Sequence, residues 1–305
     1  MLNIIIPVKN SEDVLETCLK SLSLQTIPVK IIIVDAMSTD KTREIATRYS
    51  CTVLDEPKSS GMGSKRAIAC NHGLKYVDSE IVAFLDSDTE IPPTWAEYME
   101  KILLDLKDMK DIPIAGITSG CTPDLSSNLS IAINSIMKLA SNHAQGYKEY
   151  TYVNSLPGYN AVYKTSVLRE VGGFNEKIGG AEDFELNARI RKNGWFLLGI
   201  PNSPVIHHER KTYKLFFKQI KGYGWSSSRC LKVTHTMPKA GYVSLFFICV
   251  CACLLLLILK LWVIYLIIGL CIFLTFFVKK KILFFIVLLS MLIGYSYGFI
   301  RGVFD

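Results

Sequence analysis

The first 110 residues alternate apolar runs of strand length with segments of helical period. Leu2–Val8 reads as a strand, and Ser11–Leu24 follows with helical spacing behind a candidate capping serine, Ser11. Lys30–Val34 reads as a buried strand, Asp40–Tyr49 as a helix and Cys51–Leu54 as a short strand. Ser64–Val77 is helical, and Ile81–Leu85 is a further apolar strand. Such alternation predicts an α/β fold with a mostly parallel, doubly wound sheet. Ligands of these sheets gather at the carboxyl ends of the strands. Three predicted strands end there in polar residues: Lys9 and Asn10, Asp35, and Asp86-Ser87-Asp88. Residues 113–156 are less regular. Ser127–Ala140 is amphipathic and reads as a core helix or a membrane-surface helix, and Tyr147–Leu156 as a loop or short strand.

The pattern changes at the C-terminus. Tyr242–Leu259, Leu261–Val278 and Ile282–Ile300 are apolar runs approaching bilayer-crossing length, parted by Lys260 and by Lys279–Lys281. No polar stripe of the kind a soluble helical bundle needs runs through them. The expected organisation is therefore an α/β domain over 1–230 and a C-terminal membrane domain over 231–305. The latter would be a bundle of about three transmembrane helices, 242–259, 261–278 and 282–300. The single residue between the first two leaves a re-entrant pair open.

Composition sharpens this division. Half of the residues are hydrophobic, and the excess lies in the tail. The net charge of +7 does not arise from a long basic run with interleaved aromatics, so no nucleic-acid partner is expected. Basic residues gather instead over 207–239, directly before the apolar tail, where they suit anionic lipid headgroups. With Lys279–Lys281 on the same side, the positive-inside rule makes that side cytoplasmic. The nine cysteines form no CxxC pair and no metal-type Cys/His spacing, which suits free thiols in a reducing compartment. The opening strand is too short and too uncharged at its start for a signal peptide. An integral membrane protein with its α/β domain on the cytoplasmic side is expected.

The candidate chemistry centres on Asp86-Ser87-Asp88. Two carboxylates at a strand end can present oxygens to a hard divalent cation, which in turn bridges phosphates. Turn geometry alone also favours Asp at such junctions, so the surrounding sequence must decide. That sequence runs IIIPVKN (4–10), IIIVDAMSTDKT (31–42), NHGL (71–74), IVAFLDSDTEIPP (81–93) and GYNAVYK (158–164). It continues with VGGFNE (171–176), AEDFELNARIRKNGW (181–195) and IPNSPVIHH (200–208). In this order the segments resemble glycosyltransferase family 2, the inverting enzymes of the GT-A fold, here of a membrane-anchored, non-processive type.

The resemblance implies a nucleotide-sugar donor, Mn2+ or Mg2+, and a lipid-linked glycan or glycolipid acceptor. Pro7 and Val8 match the strand whose backbone lines the nucleotide pocket, and Asp35 the acid that holds the base or nucleoside. Ala36 and Met37 replace the family's second acid and glycine, and Cys70 replaces an arginine before the asparagine. Lys65 or Arg66, behind the loop beginning at Gly61, is expected to hold the diphosphate, with Lys65 preferred. Asp86 would contact the ribose with Ser87 beside it, and Asp88 the metal. His207 would complete the metal shell, with His208 as the adjacent alternative; imidazole favours manganese over magnesium. Asp183 matches the general base, and Gly158, Asn160 and Glu182 the acceptor side.

Three rival readings meet specific objections. A polyprenyl-phosphate sugar synthase needs no base and usually lacks the Glu-Asp pair found at Glu182-Asp183. A processive polysaccharide synthase usually carries Gln-x-x-Arg-Trp, absent here. A non-catalytic scaffold gives no reason to keep Asp35, Asp86, Asp88, Asp183 and His207 together.

Overall fold

The structure, a computed structural model, describes residues 1–57, 65–106, 112–140, 146–234, 241–243, 248 and 279–304. The elements run β1 (Leu2–Val8), α1 (Leu15–Ser23), β2 (Val29–Asp35), α2 (Thr42–Arg48), β3 (Thr52–Asp55), α3 (Lys65–Leu74) and β4 (Ile81–Leu85). Next come β5 (Thr89–Glu90), α4 (Trp95–Asp105), β6 (Ile114–Thr118), β7 (Cys121–Thr122), α5 (Asn128–Ala140) and β8 (Thr151–Tyr152). The chain continues through β9 (Asn160–Lys164), α6 (Thr165–Glu170), α7 (Glu182–Lys192), β10 (Phe196–Gly199) and β11 (Val205–His207). Two long helices follow among the described residues, α8 (Tyr213–Thr234) and α9 (Lys279–Phe304).

Contacts divide the chain into two units. One holds Met1–Pro123 and Ser141–His208, the other Asp124–Ala140 and Glu209–Asp305. The boundary expected at 230 therefore falls at 208, and α5 leaves the sheet domain for the C-terminal unit.

The first unit is a mixed sheet of order β3-β2-β1-β4-β9-β6-β10-β8. Strands β3, β2, β1 and β4 run parallel, β9 runs antiparallel between β4 and β6, and β8 is antiparallel at the edge. Side-chain alternation explains why helices cover both faces. Leu2, Ile4, Ile6 and Val8 of β1 and Ile81, Ala83 and Leu85 of β4 pack with α1, α2 and α4. The intervening Ile5, Val82 and Phe84 pack with α3, α6 and α7 on the other face. The first helix begins later than its periodicity suggests. Ser11 closes a turn, its carbonyl accepting from the N–H groups of Val14 and Leu15, while its own N–H bonds Thr42 Oγ1 at 2.7 Å. Ser11 is thus not a helix cap; it joins the first two strand-to-helix turns.

In the C-terminal unit α5, α8 and α9 enclose Ala132, Ile133, Phe216, Ile220, Val287 and Tyr295. Small residues let α8 and α9 approach closely. A Cβ on Gly224 would fall on the backbone of Tyr295, and one on Gly298 on the carbonyl of Lys221. Ser227 and Tyr295 share a hydrogen bond in that seam. Most of the apolar runs 242–259 and 261–278 lies outside the described residues; the run 282–300 lies within α9. Among the fully described residues no helix is long and apolar enough to cross a membrane.

The seam makes a paired prediction. Gly298→Ala must push α9 away from α8, a form of overpacking that costs about 1–3 kcal/mol. Gly222→Ala in α8 meets nothing within 4 Å and should stabilise by ~0.5–1 kcal/mol through helix propensity. Thermal melts of the purified variants should therefore move in opposite directions.

Candidate active site

The carboxyl ends of β1, β2 and β4 bring the predicted polar residues to one edge of the sheet, as parallel strands must. Asp35, fully buried at the end of β2, accepts hydrogen bonds from the Ser38 N–H and hydroxyl, at 3.1 and 2.5 Å, and from Arg43 Nη1 at 2.9 Å. Arg43 also reaches Asp55 at the end of β3, at 2.6 Å. Pro7 and Val8 stand beside Val34 and Asp35 across the β1–β2 pair, and the Val8 carbonyl accepts the Ala36 N–H. Strand ends and side chains here form one hydrogen-bonded group, with Ser38, Arg43 and Asp55 added to the residues foreseen.

A second, three-stranded sheet builds the metal-type cluster. β11 pairs antiparallel with β5 so that His207 lies opposite Thr89, and the His208 N–H bonds the Asp88 carbonyl at 3.0 Å. This pairing sets His207 Nε2 3.3 Å from Asp88 Oδ1. Asp86, Asp88 and His207 each offer one ligand atom, all within 4.8 Å of one another. Two carboxylates and one imidazole fit a divalent first-row cation such as Mn2+ better than Mg2+. The adjacent His208 is turned to Glu90, at 3.2 Å, so register resolves the choice between the two histidines. Tyr159 stacks on the His207 ring with centroids 4.5 Å apart and restrains its orientation. Ser87 donates to Ser11 Oγ at 3.2 Å, tying the cluster to the first turn.

The third group lies where α7 begins. Ala181 adopts left-handed backbone angles, φ 55° and ψ 35°, which turn the chain so that Glu182 and Asp183 lead the helix. Acids in a first helical turn also gain from the helix dipole. Asp183 Oδ2 accepts the Gly158 N–H at 3.3 Å, and Oδ1 the Phe184 N–H at 2.7 Å. Burial foremost, then the neighbouring Glu182, pushes the Asp183 carboxyl up to about 6, against the opposing pull of Arg66 and those two N–H bonds.

Arg66 joins these groups. Its Nη2 donates to Asp86 Oδ1 at 2.7 Å and to the Gly158 carbonyl at 2.9 Å, and Nη1 lies 3.5 Å from Glu182 Oε1. Lys65, preferred from the sequence, is exposed at the start of α3 and lies in the electrostatic range of Glu56. One helical step of about 100° separates the two side chains, and only Arg66 faces the carboxylates. The loop from Gly61 to Ser64 lies outside the described residues.

Asn160 departs from its expected role. Its amide donates to Ser119 Oγ at 3.0 Å and the Gly120 carbonyl at 2.8 Å, and its oxygen accepts from Trp95 Nε1 at 3.2 Å. The residue is fully buried, so its side chain braces the sheet beneath the site and does not face an acceptor.

Comparison with known proteins agrees with this geometry. Residues 3–172, more than half of the chain, match the family model for glycosyl transferase family 2, and the chain belongs to that family. A probable glycosyltransferase YdaM of Bacillus subtilis is 24% identical over 229 residues, covering 71% of this chain and 53% of its own. Succinoglycan biosynthesis protein ExoA of Rhizobium meliloti is 23% identical over 244 residues, covering 77% and 71%. The chain spans about half the length of the first curated relatives it matches. Among solved structures, the mannosyltransferase PcManGT of Pyrobaculum calidifontis, in complex with GDP-Man and Mn2+, superposes with a TM-score of 0.67. That match is 17% identical and covers 100% of this chain and 87% of the other, a likeness of fold.

The cluster predicts a graded loss of metal. In calorimetric titrations of Mn2+ with UDP or GDP present, Asp88→Asn should abolish binding. His207→Ala should weaken it by about tenfold or more, and His208→Ala should change it little.

Proposed function

We propose that the chain is an inverting, metal-dependent glycosyltransferase that moves a sugar from a nucleotide-sugar donor to a hydroxyl of a membrane-associated acceptor. The observation that carries this reading is the link, through Arg66 and Gly158, between the Asp86–Asp88–His207 cluster and the perturbed carboxylate of Asp183. Relatives named for pre-mycofactocin, 4,4'-diaponeurosporenoate and succinoglycan support glycosyl transfer to such acceptors. The Mn2+ held with GDP-Man by PcManGT supports the choice of cofactor.

In this reading Asp35 and the β1 backbone hold the nucleoside, and Asp86 orients the ribose. Asp86, Asp88 and His207 would hold Mn2+, which when bound supplies positive charge against the leaving diphosphate. Asp183 receives the proton of the acceptor hydroxyl as that oxygen attacks the anomeric carbon from the face opposite the diphosphate. A base with its proton affinity raised toward neutrality suits this work better than an ordinary aspartate.

We also place the acceptor at a membrane and the sheet unit on its cytoplasmic side. The apolar sequence of 242–278 and 282–300, together with the basic segment before it, supports attachment. So does α9, which exposes Ile286, Leu289, Ile293, Tyr297 and Ile300 at helical spacing. Three crossings would put a tag placed after Phe304 outside the cytoplasm. Proteolysis of that tag from the cytoplasmic face alone would remove the three-crossing arrangement.

Asp183 supplies the central test. Asp183→Asn keeps the shape and removes the basicity, so transfer should fall by about 10²–10⁴-fold. Mn2+-dependent nucleotide binding should persist. Near-normal transfer would favour a phosphate acceptor, which needs no base. In the wild type, kcat/KM should drop about tenfold per pH unit below pH ~6 as Asp183 gains its proton.

The same shift acts on stability. The folded pKa exceeds the unfolded value near 3.9, so the native state binds more protons between those values. That contribution is full below pH ~4 and lost as the pH rises through ~6. At pH 7 the half-buried carboxylate is thus a burden, and Asp183→Asn should raise ligand-free stability, by at most about 3 kcal/mol for a shift of about two units.

A further inference from the structure

We propose that Arg66 is a positioning residue that ties the donor-side carboxylate Asp86 to the helix bearing Asp183, and not a ligand of the diphosphate. The proposal rests on the function given above, and deepens it. Its guanidinium is committed to the protein. Nε and Nη2 both donate to Asp86 Oδ1, at 3.2 and 2.7 Å, and Nη2 also donates to the Gly158 carbonyl at 2.9 Å. Nη1 lies 3.5 Å from Glu182 Oε1 and 3.8 Å from Cys70 Sγ. Three separate elements therefore meet on one side chain: the end of β4, the segment entering β9 and the start of α7.

The Gly158 peptide completes the link, since its carbonyl accepts from Arg66 while its N–H donates to Asp183 at 3.3 Å. A Cβ at position 158 would lie 2.9–3.0 Å from Nη2, Cζ and Nη1, so any larger residue there would have to displace the guanidinium from its present contacts. The planar fork of arginine spans these acceptors, and a lysine ammonium, radiating from one atom, does not. Cys70 is buried one helical turn away and its thiol is pushed up to about 12 by that burial, so it adds no charge to the cluster. Without Arg66 the carboxylates of Asp86 and Glu182 repel, and movement of one no longer sets the position of the other.

Two experiments on the full-length protein test this. The first needs no ligand: melting temperatures of Arg66→Gln, Glu182→Gln and the double variant. Arg66→Gln should destabilise, and adding Glu182→Gln should recover part of the loss, because an uncompensated buried carboxylate has been removed. Strictly additive effects would overturn the clamp, whatever the chain's activity proves to be. The second measures transfer against pH. The charged or titratable groups facing Asp183 are Glu182 beside it, Arg66 and Cys70 on α3 and Tyr163 on β9.

Arg66→Gln should therefore move the acid limb of kcat/KM upward by about one unit. Arg66→Lys keeps the charge and loses the fork. It should leave the limb in place while kcat falls by about tenfold or more. An unmoved limb in Arg66→Gln, or full kcat in Arg66→Lys, would refute the proposal. So would a loss confined to Mn2+-dependent UDP or GDP affinity in both variants, the mark of a direct phosphate ligand. A wild type without transferase activity would sink the functional reading alone and leave the melting cycle to decide the clamp.

Discussion

Four carboxylates, Asp86, Asp88, Glu182 and Asp183, crowd together at the ligand edge of the sheet, and their mutual repulsion is the constraint around which the site is built. Like charges at this spacing in a partly desolvated site raise one another's proton affinity unless cations or hydrogen-bond donors intervene. The chain meets the repulsion with three devices. Arg66 stands between Asp86 and Glu182, the His207 ring lies against Asp88, and backbone N–H groups face Asp183. Each device requires local geometry that is otherwise unusual. The guanidinium packs directly against Gly158, and α7 begins behind a left-handed alanine. The imidazole arrives through a three-residue strand whose sheet partners among the described residues, β5 and β7, have two residues each.

Much of the frame was legible in the chain. β1 and β4 announce themselves because strands buried on both faces leave near-continuous apolar runs. Asp35 and Asp86–Asp88 were visible as the polar residues at the ends of β2 and β4. Periodicity has no sign, however, so the reversal of β9 could not be read from Asn160–Lys164, which alternates identically in either direction. The same limit explains Asn160. Its place in GYNAVYK suggested an acceptor role, but a motif does not state which way a side chain points, and this one faces the Trp95 indole. Lys65 and Arg66 were separable only by the helical phase of α3, whose start lies at the edge of the described residues. The helix Asn128–Ala140 was legible as amphipathic, yet the partner for its apolar face lies far along the chain in α8 and α9.

The C-terminal unit follows a different packing logic from the sheet. Between α8 and α9 the closest approaches are backbone to backbone, over Gly224 and Gly298, while Phe216, Ile220, Val287 and Tyr295 are buried with α5 and Ile286, Leu289 and Ile293 stay exposed on α9. In water a helix pair gains by burying its largest apolar groups. Here the glycines set how near the two backbones come, and the buried apolar groups fill the space beside that contact.

The reversed strand β9 has a consequence for how such a molecule can change. In a run of parallel strands, the segment leading into each strand lies on the edge away from the ligand. Because Asn160 pairs with Leu85 and β9 runs back from there, the segment leading into it opens onto the ligand edge instead. In the proposed function the donor and metal residues come mainly from the earlier half of the chain, while the stretch before Gly158 reaches the same edge from the later half. On that reading, a replacement in this stretch would fall on the acceptor side and leave Asp35, Asp86 and Asp88 in place.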